Sequence, residues 1–212
     1  MAQRLRLSLL VLFFAFPLAA AEIVFTNAFA FNGTQPGGAG ASVLTVTCPG
    51  GRRAVPGSGA VTSSTVFMGQ NPAGFPKWLI SQTAVGTTGA TLSLTSAQGG
   101  GNAHIDLATL VCYEVVPANA PVTFQTAFAF NGSQPGGASP STLPVTCPAG
   151  RQAVPGSGAT SSHTLYATFP SFPKALLSQS ANGTTGATVS LSGAQGGGNA
   201  HIDVATLVCY SF

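Results

Sequence analysis

Ala28-Phe29-Ala30-Phe31-Asn32-Gly33 returns ninety-nine residues later as Ala127-Phe128-Ala129-Phe130-Asn131-Gly132. The match runs on from there. Residues 28–60 agree with 127–159 at 26 of 33 positions, and residues 75–113 agree with 172–210 at 31 of 39. A chain written twice predicts two similar folding units, with any site of one unit recurring in the other. A second copy gives avidity to a binder and adds less to a catalyst.

Within each copy the apolar residues alternate. Ile23, Phe25, Phe29 and Phe31 share one strand face, with Val24, Thr26, Ala28 and Ala30 on the other. Val122, Phe124, Phe128 and Phe130 repeat the pattern. Leu44, Val46 and Cys48 alternate with threonines, as do Leu143, Val145 and Cys147, which places the cysteines on the apolar face. The run from His104 to Tyr113 is apolar on both faces, as in a covered central strand. Asn32-Gly33, Pro36-Gly37, Pro56-Gly57 and their repeats mark turns. Short strands, frequent Gly/Pro turns and no amphipathic helix predict an all-β fold: two tandem β-sandwich, jelly-roll-like modules over 22–116 and 122–212, joined by a linker at 117–121. One larger sandwich shared by both copies is the alternative.

Four cysteines allow three pairings. The repeat selects Cys48–Cys112 and Cys147–Cys209, one disulfide per module. This within-copy pairing favours separable units. No cysteine pair has the short spacing of a structural zinc site.

Residues 1–21 read as a secretory signal peptide: Arg4 and Arg6, then the apolar run Leu7–Leu18, then Ala19-Ala20-Ala21. The expected location is therefore extracellular or periplasmic. The apolar run is too short to span a membrane, and no anchor tail is seen. Beyond the leader the charges are few: Arg52, Arg53, Lys77, Arg151 and Lys174 against Glu22, Asp106, Glu114 and Asp203, a net of +1. No basic cluster exists to neutralise several phosphates, which argues against a nucleic-acid partner. Low net charge leaves self-association open.

The sharpest chemical candidate is Asn102-Ala103-His104-Ile105-Asp106, repeated as Asn199-Ala200-His201-Ile202-Asp203. Asp106 and Asp203 are the only aspartates. At i and i+2 on a strand, His and Asp share a face about 6.6 Å apart. Imidazole plus carboxylate can meet sugar hydroxyls or a metal ion, or form a structural pair. A metal would need ligands beyond the two that each copy supplies, and no cofactor is expected. Trp78, after Phe75-Pro76-Lys77, offers either an aromatic platform for a sugar or a core residue, and the second copy has Ala175 in its place. Residues 61–68 agree with 160–167 at only two of eight positions, which suggests a surface strand or loop; if the copies bind different things, the difference should lie here. Catalysis is not expected. There is no Gly-x-Ser-x-Gly elbow, and each copy repeats a single carboxylate where a glycosidase needs two.

Thr47-Cys48-Pro49-Gly50-Gly51-Arg52-Arg53-Ala54-Val55-Pro56-Gly57-Ser58-Gly59, its repeat from Thr146 to Gly158, and the closing Leu110-Val111-Cys112-Tyr113 and Leu207-Val208-Cys209-Tyr210 resemble motifs of small secreted bacterial β modules. The resemblance implies an extracellular, disulfide-linked β fold and carries no activity. Pro56 and Pro155 depart from it, standing where glycine is common.

The expected function is an exported, non-catalytic tandem-repeat surface-binding protein. Its candidate partners are carbohydrate or another cell-surface component. A structural, self-assembling surface protein without a small ligand is the alternative from another class, and metal binding through the His-x-Asp loops a further one.

Overall fold

A computed structural model describes residues 21–32, 42–67, 77–98, 102–118, 120–131, 141–167, 174–195 and 198–212. The leader, the Gly99-Gly100-Gly101 loop, Phe75-Pro76 and most of the Asn-Gly-Thr and Asn-Gly-Ser turns at 32–34 and 131–133 lie outside the described residues.

The first half runs β1 (Glu22–Phe31), β2 (Ser42–Thr47), β3 (Arg53–Ala54), β4 (Ala60–Phe67), β5 (Lys77–Val85), β6 (Gly89–Gln98) and β7 (Asn102–Val116). The second repeats it as β8 (Thr123–Phe130), β9 (Ser141–Thr146), β10 (Gln152–Ala153), β11 (Ala159–Ala167), β12 (Lys174–Asn182), β13 (Gly186–Gln195) and β14 (Gly198–Ser211). The fold is all-β, and each half packs strands of one sheet over strands of another. In the first half β1, β7 and β4 lie over β2, β6 and β5, and in the second β8, β14 and β11 lie over β9, β13 and β12.

The halves are not separate, however. One sheet runs β1-β7-β4-β12-β13-β9, and the other runs from β14 through β11, β5 and β6 to β2, with β8 on the far side of β14. At two seams a strand of one half pairs antiparallel with a strand of the other. Thr65, Ser64 and Ser63 stand opposite Lys174, Ala175 and Leu176, and Thr164, His163 and Ser162 stand opposite Lys77, Trp78 and Leu79. The segment read as a divergent surface stretch, 61–68 with 160–167, therefore belongs to the two central seam strands, and Val61, Ser64, Val66, His163 and Leu165 are buried. The strand period is visible in sequence, whereas which edge meets which shows only when the seam side chains, Lys174 with Asp106 and Lys77 with Asp203, are seen together in space.

The core between the sheets takes Leu110, Ala108, Leu92, Leu94 and Trp78 from the first half and Leu207, Ala205, Val189 and Leu191 from the second. Along β1 the alanine face is the buried one: Ala28 packs in the core, while Phe29 and Phe31 point outward. The disulfides Cys48–Cys112 and Cys147–Cys209 are both formed and lie in this core. A second, smaller cluster joins the halves, with Val55 and Val111 meeting Val154 and Val208 under Phe25, Tyr113, Phe124 and Tyr210. Phe25 packs edge-on against Tyr210 at 5.2 Å, and Tyr113 against Phe124 at 4.9 Å.

The Pro56-Gly57 turn is of type II. Gly57 has φ +79°, and Ser58 N–H donates back to Val55 O. Ser58 Oγ donates to Val55 O at 2.8 Å and accepts from Val111 N–H at 3.1 Å, so this buried hydroxyl closes the β7 ladder where β3 gives way to β4. Ser157 does the same for Val208.

Candidate functional site

β7 carries His104 and Asp106 to the outer face of its sheet, where the β4–β7 register shifts around Thr62 and Asp106. Ser63 Oγ donates to Asp106 Oδ2 at 3.0 Å, and Thr65 Oγ1 donates to the same oxygen at 3.0 Å. Lys174 Nζ, from the other half, lies 3.6 Å from Oδ2, and His104 Nε2 lies 3.7 Å from Oδ1. The second half mirrors this. Ser162 and Thr164 donate to Asp203, Lys77 reaches across at 3.9 Å, and His201 Nε2 stands 3.7 Å away. His104 and His201 are both buried.

Each carboxylate is thus held by two hydroxyls, one lysine and one histidine, and each lysine belongs to the opposite half. The arrangement fastens the seams. An ammonium already stands where a cation would sit, and among the described residues no group of three His, Cys, Asp or Glu side chains comes together. Asn102 enters β7 opposite Phe67, and Asn199 enters β14 opposite Tyr166. No described hydrogen bond links Asn102 to the carboxylate.

Trp78 requires a correction as a ligand-binding residue. It is wholly buried at 0% exposure and presents no ring face for stacking. It fills the core opposite His163 on β11. The equivalent pair at the other seam is Ser64 with Ala175. One seam is therefore filled by two large side chains and the other by two small ones, which is why tryptophan in one copy can stand as alanine in the next. His163 Nδ1 and Nε2 and Trp78 Nε1 are buried without a hydrogen-bond partner. Burial pushes the His163 imidazole down to about 4, against a smaller opposing pull from Asp203.

Three residue sets escaped the sequence reading. In sequence, Lys77 and Lys174 stand out only among the charges and, for Lys77, as the neighbour of Trp78. Yet Lys77 and Lys174 are a repeated base, and Asp106 and Asp203 a repeated acid. The two positions that do agree between 61–68 and 160–167 are Ser63/Ser162 and Thr65/Thr164, the hydroxyls that bind the aspartates. The third set is the outer aromatic face. Phe29 is 55% exposed, Phe31 75%, Phe128 57% and Phe130 74%. Phe128 and Phe130 lie side by side with ring centroids 6.5 Å apart and planes within 21°. Leu176 and Leu79 are also exposed, on the seam strands of the same two sheets.

Two equivalent clefts flank the type II turns. One, of about 280 Å³, is lined by Arg53, Pro56, Gln82 and Tyr113, and the other, of about 240 Å³, by Gln152, Pro155, Gln179 and Tyr210. Both are below the usual range for small-molecule sites. Gln82 and Gln179 are engaged in accepting from Gly59 and Gly158 N–H.

No family model, no curated protein and no solved structure matches this chain.

Proposed function

We propose that this is an exported, non-catalytic protein that binds extended surfaces through two equivalent phenylalanine faces, with polysaccharide as the favoured partner. The observation that carries the reading is the exposure of Phe29, Phe31, Phe128 and Phe130. Large aromatic rings are ordinarily buried or placed at interfaces. Here four stand on outward strand positions, and Phe128 with Phe130 forms a flat shelf. Such a shelf suits the C–H face of a sugar ring. One face on each half gives a bivalent protein whose avidity exceeds the affinity of either face by ~10²–10⁴. Absence of catalysis is supported by the use of Ser58 and Ser157 in turns and by the engagement of Asp106 and Asp203 with two hydroxyls each. Export is supported by the leader and by two disulfides, which form in oxidising compartments.

The test is co-sedimentation of the purified protein with insoluble cellulose and chitin. Phe29→Thr with Phe31→Thr, or Phe128→Thr with Phe130→Thr, should each weaken retention strongly, and the fourfold variant should abolish it. Undiminished retention of the fourfold variant refutes the reading.

A further inference from the structure

The halves of this chain join by pairing strand edges, β4 with β12 and β11 with β5. Four edges are left at the ends of the sheets among the described residues, β1 and β9 on one and β8 and β2 on the other; of these β2 is short, at six residues against ten for β1 and eight for β8. Among the described residues β1 pairs only with β7, and β8 only with β14. Proteins usually blunt such edges with lysine, proline or a bulge. β1 carries no lysine, arginine or proline, and its one charge is Glu22 at its start; β8 carries no charge and no proline. Both keep an unbroken register with their partner. β9, the edge strand at the second-half end of the β1 sheet, has Pro144 in its middle.

The direction of the free groups is known. Asn32 N–H donates to Asp106 O, so the even-numbered residues of β1 point their backbone groups into β7. Phe25, Asn27, Phe29 and Phe31 therefore point theirs outward. On β8, Asn131 N–H donates to Asp203 O, which leaves Phe124, Thr126, Phe128 and Phe130 pointing outward.

We infer that β1 and β8 are docking edges for a second copy of this chain, which adds to them by antiparallel strand pairing. The occupant is argued from the molecule itself, whose seams already show this module accepting a strand of its own kind. Each molecule carries two such edges, one on each sheet, and pairing β1 with the β1 of one neighbour and β8 with the β8 of another leaves an edge open at every step, which produces open chains of molecules. Pairing would also set the phenylalanine shelves of successive molecules side by side. The inference goes beyond the surface-binding reading and does not depend on it.

Sedimentation equilibrium over a concentration series tests it. The wild-type protein should grow past the mass of a dimer. Phe29→Pro with Phe128→Pro removes one outward N–H from each edge without touching the native ladders, and should hold the protein as a monomer. Phe29→Thr with Phe128→Thr keeps both N–H groups and should still associate, although retention on polysaccharide falls. Wild type that stays monomeric, or a threonine pair that becomes monomeric, overturns the inference. Should the proline pair fail to fold, amide exchange on the wild type decides the matter. On concentrating the protein, the amides of Phe25, Asn27, Phe29 and Phe31 should slow while those of Ala28 and Ala30 stay as they are; no change in the odd-numbered amides is refutation.

Discussion

Acidification tests the packing of the seam through one side chain. His163 is buried against Trp78 with neither ring nitrogen hydrogen-bonded, and its pKa is lowered from 6.5 to about 4, chiefly by desolvation. In the unfolded chain the imidazole titrates near 6.5. Between these values the unfolded state binds the proton and the folded state does not, so stability is full above about pH 6.5 and falls as pH drops toward 4. The loss across that window is about 3 kcal/mol, or about 6–12 °C in Tm for a chain of this size. His163→Leu removes the titrating group and two buried unsatisfied ring nitrogens, so at pH 7 the variant should match wild type or exceed it by about 1–2 kcal/mol. Urea unfolding of both proteins at pH 7, 5.5 and 4 is the assay. The gap between them should widen by about 3 kcal/mol on acidification. Parallel loss of stability in the two proteins would show that His163 is not held neutral in the fold, and the account of the seam would fail.

Other substitutions probe the remaining fastenings. Replacing Cys48 and Cys112 together by serine opens a loop spanning 64 residues and should cost about 4 kcal/mol in chemical denaturation, with a similar loss for Cys147 and Cys209. Asp106→Asn weakens the interactions with Ser63, Thr65 and Lys174 and should lower stability by about 1–3 kcal/mol, whereas Lys174→Met, at a partly exposed ammonium, should cost less than about 1 kcal/mol; equal urea midpoints for wild type and Asp106→Asn would contradict the fastening role. Trp78→Ala alone should cost about 3–5 kcal/mol and Ala175→Trp alone about 1–3 kcal/mol. Exchanging both seams at once, by adding His163→Ser and Ser64→His, should cost less than the separate losses together, as read by Tm.

The local features were legible because they are periodic. Leu44, Val46 and Cys48 gave the core face of β2, and the repeat by itself chose between the disulfide pairings. Pairing between the halves was not legible, because Ser63–Thr65 and Lys174–Leu176 lie far apart in the chain and no local period links them. Divergence at 61–68 suggests a surface segment. It comes instead from two seams that solve one packing problem with different volumes, Ser64 with Ala175 and His163 with Trp78. The signal present but unread was the pair of agreements inside that divergence, Ser63/Ser162 and Thr65/Thr164. Nor does alternation along β1 say which face is covered. Ala28 lies in the core beside Leu110 of β7, and the rings of Phe29 and Phe31 are left at the surface.

The unequal seams bear on how such a gene can change. Two stretches this alike are natural substrates for recombination, which would overwrite one copy with the other. A chain homogenised to the first copy would bring Trp78-type residues to both seams without His163, and one homogenised to the second would set histidine beside alanine at each. Neither keeps the matched pairs of Ser64 with Ala175 and His163 with Trp78. At the seams the two copies are each other's complement, and a change that made them identical there would mismatch the volumes on both sides.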